Sequence, residues 1–198
     1  MELNQNLANH LPDVCNSISE ELANLKKVSD INNYVLFEQD DIVISSANDN
    51  HIKELGELWA NLASIQQIFA PERYSFNAEK KDWHYFVQNK VEKRSNLLLV
   101  AQKKNEYEVR GFLYLQSVTL PSSELVLKGV IEDIYTKPQY RRQGIAAMLL
   151  KISLEWARSQ NIKQADIVSL SGSKGMPELC LKVSKEIKNE INFELLTV

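Results

Sequence analysis

Hydrophobic positions along the chain follow two spacings, one typical of strands and the other of amphipathic helices. Apolar residues that recur every three or four positions predict helices that begin near residue 50 and at residues 80, 144 and 177. Short apolar runs bounded by turn residues predict strands at 42–44, 96–101, 109–119, 129–136, 166–170 and 193–198. Together these elements follow the order β-α-α-β-β-β-α-β-α-β, which predicts an α/β (α+β) domain with a mixed, mostly antiparallel sheet flanked by helices.

A further amphipathic helix is predicted before this domain, within residues 13–27. The apolar run at 34–37 fits either a short strand or an apolar anchor, and a polar stretch follows it. We therefore divide the chain into an N-terminal helical extension, residues 1–40, and one domain, residues 41–198. The apolar stripe of the extension is expected to cover the domain or a second subunit, which makes a homodimer one predicted arrangement. The stripe consists of Val14, Ile18, Leu22 and Leu25.

Composition and charge exclude several classes of protein. Hydrophobic residues make up 44% and charged residues 25%, as in ordinary globular domains. The net charge of -3 argues against a nucleic-acid-binding surface, which needs a basic excess. No apolar run approaches the roughly 18 residues of a membrane span, and the first residues do not resemble a signal peptide. We therefore predict no nucleic-acid partner, no membrane association and a cytoplasmic location.

The cysteines and histidines do not predict a metal site. Cys15 and Cys180 lie far apart in sequence, so neither a disulfide framework nor a metal-binding pair is expected. His10, His51 and His84 fall on separate predicted elements without the spacing of metal ligands. The chemistry of this chain is thus predicted to involve no metal.

The segment 131–150 carries the strongest signal for a binding site. A predicted strand is followed by a basic loop with Arg141 and Arg142, then by Gly144 and an amphipathic helix. The first amides of a helix have no intrahelical partner, and the helix dipole adds partial positive charge at this end. Gly144 has no side chain to block an approaching phosphate. This arrangement predicts an anion site that would accept a pyrophosphate.

The same segment resembles the acyl-CoA motif of the GNAT superfamily of N-acyltransferases. That motif is Arg or Gln, two residues, Gly, one residue, and then Gly or Ala, and residues 141–146 match it. The order of elements from Ile42 to the C-terminus also fits the GNAT fold. The resemblance implies that acetyl-CoA is the co-substrate and that its pantetheine arm lies where strand 130–136 splays from strand 166–170. The implied cofactor-binding residues are Ile134, Tyr135, Thr136, Arg141, Arg142, Gln143, Gly144, Ile145 and Ala146.

Glu132 is the predicted catalytic base. Acyl transfer to an amine requires removal of a proton from the ammonium, because a protonated nitrogen has no free electron pair. The pattern Glu132-Asp133-Ile134-Tyr135 resembles the polyamine and small-amine branch of the family, in which the corresponding glutamate has this role. Two alternatives stay open. Glu132 could be a structural acid paired with a lysine or arginine, and Asp133, expected on the opposite face of the strand, could compete for the role.

The chain departs from the family at the predicted general acid. Many GNAT enzymes carry a tyrosine near the C-terminus that protonates the departing thiolate, and two alignments place Lys188 or Cys180 there instead. Lys188 is more readily explained as a solvated charge and Cys180 as a packed core thiol. Solvent, Tyr135 or Tyr140 remain alternatives for the acid.

The predicted activity is acetyl transfer from acetyl-CoA to a primary amine, by direct attack in a ternary complex. The acceptor is expected to be a small molecule or a peptide, bound by residues 59–91 according to the family layout. The alternatives are a non-catalytic acyl-CoA-binding sensor or assembly module of the same fold, and an unrelated α/β binding protein.

Overall fold

The computed structural model comprises a seven-stranded sheet with helices on both faces. It describes residues 35–39, 41–71, 82–91, 96–120, 126–169, 175–186 and 192–197. The predicted helix at 13–27 lies outside these residues, and so does residue 188.

The strands lie in the sheet in the same order as in the sequence. Neighbouring strands are antiparallel as far as the fifth, and the last two pairs are parallel. This arrangement confirms the predicted mixed, mostly antiparallel sheet. The strands are β1 Val35–Gln39, β2 Ile42–Ser46, β3 Leu97–Lys103, β4 Val109–Leu120, β5 Val126–Thr136, β6 Gln164–Ser169 and β7 Asn192–Thr197.

Among the described residues, four α-helices cover the two faces of the sheet and bury two separate hydrophobic cores. Helices α1, Ile52–Phe69, and α2, Trp83–Val91, pack on one face around Trp59 and Val87. Helices α3, Ile145–Ser159, and α4, Gly175–Glu186, pack on the other face. We call the first side the α1/α2 face and the core on the second side the α3-side core. Short 3-10 helices, Asp49–His51 and Pro138–Tyr140, precede α1 and α3. None of the described helices is long and apolar enough to cross a membrane.

Polar side chains cap the 3-10 helix before α1 and the start of α2. The side chain of Asn48 accepts a hydrogen bond from the amide of Asn50, and His51 Nδ1 accepts one from the amide of Asn48. This reciprocal capping orients the chain entering α1. At α2, Asp82 Oδ1 accepts a hydrogen bond from the amide of Tyr85.

The run at 34–37, predicted as a strand or an anchor, contributes the edge strand β1. Glu38 pairs with Val43 and Gln39 with Ile42 in an antiparallel hairpin, and Leu36 and Phe37 are buried in the α3-side core. The boundary predicted after residue 40 therefore falls between two paired strands. The sheet includes part of the segment that we assigned to the N-terminal extension.

Candidate active site

β5 and β6 separate after only three paired positions and leave an opening in the sheet. Gly129, Val130 and Ile131 pair with residues 165–167 of β6. Beyond this point β5 stays paired with β4, whereas β6 stays paired with β7. The edge of β5 from residue 132 to 136 therefore has no strand partner on the β6 side among the described residues. This opening is the splay that the resemblance implied.

β5 is followed, after residues 137–144, by the N-terminus of α3. Gly144 caps this helix with a left-handed φ of 84°, and Arg142 has a φ of 65°. The amides of residues 142–147 donate no backbone hydrogen bond to any described residue. An ideal Cβ placed on Gly144 meets no heavy atom within 4 Å, so the space in front of the helix is open. These features are those of an anion site at a helix N-terminus.

The three polar residues of this loop that were predicted to bind the cofactor all have exposed side chains. Arg141 is exposed, and its Nε donates a hydrogen bond of 3.1 Å to the carbonyl of Thr136. Arg142 is 90% exposed and lies 4.0 Å from Glu178 Oε2. Gln143 is also exposed, so all three polar side chains are accessible to a ligand.

The remaining predicted residues are partly or fully buried. Tyr135 is buried on the α1/α2 face, whereas Ile134 and Ile145 pack in the α3-side core. Ala146 is half-buried. Their backbone groups, rather than their side chains, are available to a ligand in the opening. Thr136 Oγ1 is buried with no hydrogen-bond partner among the described residues.

A charge network that the sequence did not reveal anchors the turn before the loop. Lys137 Nζ lies 2.7 Å from Glu54 Oε1 and 2.9 Å from Glu108 Oε1. The hydroxyl of Tyr140 donates a hydrogen bond of 2.6 Å to Glu108 Oε2, which raises the pKa of Tyr140. Its proton is thus engaged by Glu108, which disfavours Tyr140 as the general acid.

A bulge in β5 places Glu132 and Asp133 on the same face of the sheet. Tyr114 of β4 pairs with Asp133, but its neighbour Leu115 pairs with Ile131, so Glu132 is an extra residue. Ile131 and Ile134 both pack in the α3-side core. The prediction that the two carboxylates lie on opposite faces is therefore wrong, because the bulge interrupts the alternation of side chains.

Asp133 is held by two side chains of α1. Its Oδ2 accepts a hydrogen bond of 2.9 Å from Trp59 Nε1, and its Oδ1 accepts one of 3.3 Å from Gln66 Nε2. Burial raises the pKa of Asp133, and these hydrogen bonds oppose the shift. The carboxyl is fixed in place and less accessible than that of Glu132.

Glu132 pairs with a lysine, which is the structural alternative that the sequence left open. Lys90 Nζ of α2 lies 3.3 Å from Glu132 Oε2, with side-chain exposures of 18% for the lysine and 37% for the glutamate. The same nitrogen lies 4.1 Å from the ring centroid of Tyr114 and 5.3 Å from that of Phe86. Burial, followed by the charge of Glu132, raises the pKa of Tyr114.

The remaining candidates lie away from this cluster or outside the described residues. Cys180 is buried in the α3-side core, and this burial raises the pKa of its thiol. Its packing agrees with the core role expected from the sequence. His51 forms a 3.1 Å hydrogen bond with Gln102 of β3. Within the part of the chain that the structure describes, no three His, Cys, Asp or Glu residues are grouped to bind a metal.

Solved structures share this fold at low sequence identity. A predicted acetyltransferase from Clostridium acetobutylicum with acetyl-CoA is 20% identical, with 71% of this chain and 87% of that chain covered and a TM-score of 0.57. A ribosomal-protein-alanine N-acetyltransferase from Brucella melitensis is 15% identical, with coverages of 73% and 91% and a TM-score of 0.53. An aminoglycoside acetyltransferase from an uncultured soil sample, in complex with sisomicin, is 15% identical, with coverages of 72% and 86% and a TM-score of 0.54.

Comparison with curated proteins gives no match. The family model of the acetyltransferase (GNAT) family matches residues 60–171, which include the opening between β5 and β6 and the loop before α3. This match covers more than half of the chain and agrees with the motif and the fold. The chain therefore belongs to the GNAT acetyltransferase family.

Proposed function

We propose that this protein transfers an acetyl group from acetyl-CoA to a primary amine by direct attack in a ternary complex. The observation that carries the proposal is the free edge of β5, which is followed after residues 137–144 by the N-terminus of α3. A strand edge can pair with the amides of an extended ligand, and a helix N-terminus can bind its phosphates. Acetyl-CoA, the co-substrate that the family indicates, contains both kinds of group.

The residues of this segment fit such a ligand. Backbone groups of Ile134, Tyr135 and Thr136 would hold the pantetheine arm. The amides from residue 142 to 146 would bind the pyrophosphate, with charge from Arg141 and Arg142. The buried hydroxyl of Thr136, which lacks a hydrogen-bond partner among the described residues, supports a ligand at this position.

Glu132 is the proposed base for the acceptor amine. Its carboxylate is partly exposed on the α1/α2 face, beside the point where β5 and β6 separate. There it can accept the proton that an ammonium must lose before its nitrogen attacks the thioester. Asp133, when it is ionised, adds negative charge from a fixed position, which favours a cationic acceptor. Direct attack is favoured because Cys180, the one cysteine among the described residues, is buried in the opposite core.

A non-catalytic acyl-CoA-binding module is the second candidate. It is favoured by the ion pair between Glu132 and Lys90, which engages the proposed base. The hydrogen bond from Tyr140 to Glu108 likewise engages one alternative for the general acid. Turnover separates this candidate from the enzyme, because both would bind acetyl-CoA.

Thermal unfolding with and without acetyl-CoA tests the binding site. Ligand at about 100 times its dissociation constant stabilises a protein by about 2.7 kcal/mol. At about 2–4 °C per kcal/mol, the melting temperature should rise by roughly 5–10 °C. Gly144→Asp should abolish the rise, because it places a negative charge and a side chain in the anion site. Asn161→Asp is the matched control, because it adds the same charge beyond the other end of α3, at a residue with φ of 58°.

Release of free CoA thiol in the presence of primary amines tests the reaction. We expect turnover in the wild type and its loss in Glu132→Gln, with the acetyl-CoA-induced rise in melting temperature retained. Stabilisation by acetyl-CoA without turnover on any amine would support the binding module. No stabilisation of the folded wild type would contradict both candidates.

A further inference from the structure

The amine of Lys90 occupies a site that has the properties of an alkylammonium-binding site. Its nitrogen contacts Glu132 Oε2 at 3.3 Å and lies over the rings of Tyr114 and Phe86. Asp133, when it is ionised, also interacts with this ammonium. A carboxylate combined with aromatic faces is the arrangement that recognises alkylammonium ions. A primary amine of this chain is therefore bound where an amine acceptor would be expected.

This amine lies beside the closed end of the opening between β5 and β6. The paired region ends at Ile131, so the free edge begins at Glu132 and ends at Thr136. With about 3.3 Å per residue, this edge is about 13 Å long. An extended ligand that is anchored at the N-terminus of α3 and follows this edge has its far end beside Glu132. The reactive end of a bound acyl-CoA would thus meet the side chain that contacts Lys90.

We propose that Lys90 is itself an acceptor and that the protein acetylates this residue with its own activity. This inference rests on the proposed acetyl transfer. It adds a modification site at Lys90. The same contacts also indicate the class of external acceptor, which is an alkylamine that carries a positive charge when it binds. An external acceptor would then compete with Lys90 for Glu132 and the two rings.

The proposed step balances in atoms and charge. Glu132 accepts one proton from the Lys90 ammonium, which frees the electron pair of the nitrogen. The N–C bond to the acetyl carbonyl forms, and the C–S bond of the thioester breaks. The second proton leaves the nitrogen as the amide forms and neutralises the departing thiolate through solvent. The products are an Nε-acetyl lysine, free CoA and one proton, which Glu132 returns to solvent.

Acetylation would change the contacts of residue 90 in a predictable way. The amide is neutral, so both the ion pair with Glu132 and the cation–π contacts with Tyr114 and Phe86 would be lost. Lys104 provides an internal comparison, because it forms an ion pair with Glu38 at the far edge of the sheet and its side chain is 52% exposed. Chemical acetylation by acetyl-CoA, without catalysis, should favour the more exposed Lys104.

Incubation of the full chain with isotope-labelled acetyl-CoA, followed by peptide mass spectrometry, tests the inference. We expect the label at Lys90 to accumulate faster than at Lys104. Glu132→Gln should slow labelling of Lys90 by about 10²–10⁴-fold, the usual contribution of a general base, without affecting Lys104. Gly144→Asp should also abolish labelling of Lys90 only, and Lys90→Arg should remove the corresponding mass increase from the intact protein.

The outcomes distinguish failure of the inference from failure of the proposed function. Equal labelling of Lys90 and Lys104, or labelling of Lys90 that persists in Gly144→Asp, would show chemical acetylation and overturn the inference. Thermal stabilisation by acetyl-CoA and turnover of added amines, with Lys90 unlabelled, would also overturn it while supporting the proposed function. An absence of both acetyl-CoA stabilisation and Lys90 labelling would overturn both.

Discussion

Glu132 and Asp133 are consecutive residues whose carboxylates lie on the same face of β5, because Glu132 is the extra residue of a bulge. Their environments nevertheless differ. Glu132 is partly exposed and contacts Lys90, whereas Asp133 is fixed by hydrogen bonds from Trp59 and Gln66. The Glu132 carboxylate is therefore the more accessible of the two, whereas the Asp133 carboxylate is held in place. Substitutions at the two residues should affect different properties.

Glu132→Gln should lower kcat/KM for a primary amine by about 10²–10⁴-fold, because the amide cannot accept the proton of the ammonium. The melting temperature should change little, since the side chain is 37% exposed. Steady-state release of CoA thiol measures the activity. Glu38→Gln is the matched control, because it neutralises the carboxylate of another lysine pair on β1. Wild-type turnover in Glu132→Gln would contradict the proposed base.

Asp133→Asn should become increasingly more stable than the wild type as the pH rises. Burial raises the folded-state pKa of Asp133, so the folded protein binds this proton more tightly than the unfolded chain does. Its contribution to stability is therefore present below the unfolded-state pKa, about 3.9, and is lost as the pH rises through the folded-state pKa. Urea unfolding of both proteins between about pH 4 and pH 8 measures the difference in free energy. A difference that stays constant with pH would contradict the assigned shift.

Gly111→Ala should destabilise the fold by about 1–3 kcal/mol, the usual cost of overpacking. A Cβ at this position would lie 2.7 Å from the carbonyl oxygen of Tyr135 and 3.3 Å from Thr136 Oγ1. The substitution should also weaken acetyl-CoA binding, because it displaces the end of β5. Gly175→Ala is the control, since its added Cβ meets nothing within 4 Å. Equal stability of the two variants in urea would contradict this close approach of β4 and β5.

Tyr140→Phe should destabilise the protein slightly, because it removes the hydrogen bond to Glu108 and keeps the ring. Turnover at saturating substrates should be retained, since the hydroxyl proton is engaged by Glu108. Tyr107→Phe, at a side chain that is 93% exposed, should change neither property. A loss of kcat in Tyr140→Phe without a loss of stability would instead identify Tyr140 as the general acid.

Features that depend on local sequence were predictable, and those that depend on distant pairing were not. The loop before α3 could be predicted because a glycine at a helix start after two arginines determines the local backbone and charge. The bulge at Glu132 could not, because it exists only in the register between β5 and β4. The contact of Lys90 with Glu132 joins residues 42 positions apart and has no signature in either segment.

The first strand also shows that local sequence does not reveal distant pairing. The run at 34–37 fits either a strand or an apolar anchor, because four apolar residues do not indicate whether a partner strand exists.

The cytoplasmic location and the homodimer, which were expected from the sequence, remain predictions.

The bulge also divides β5 into two segments of opposite phase. Before Glu132, odd-numbered residues such as Ile131 face α3, whereas after it even-numbered residues such as Ile134 do so. Without Glu132 the strand would alternate regularly, and Ile131 and Ile134 would still face α3. The extra residue therefore adds a carboxylate to the α1/α2 face and leaves the orientation of the following residues unchanged. A β5 that is shorter by this one residue would keep the same free edge but present one carboxylate in place of two.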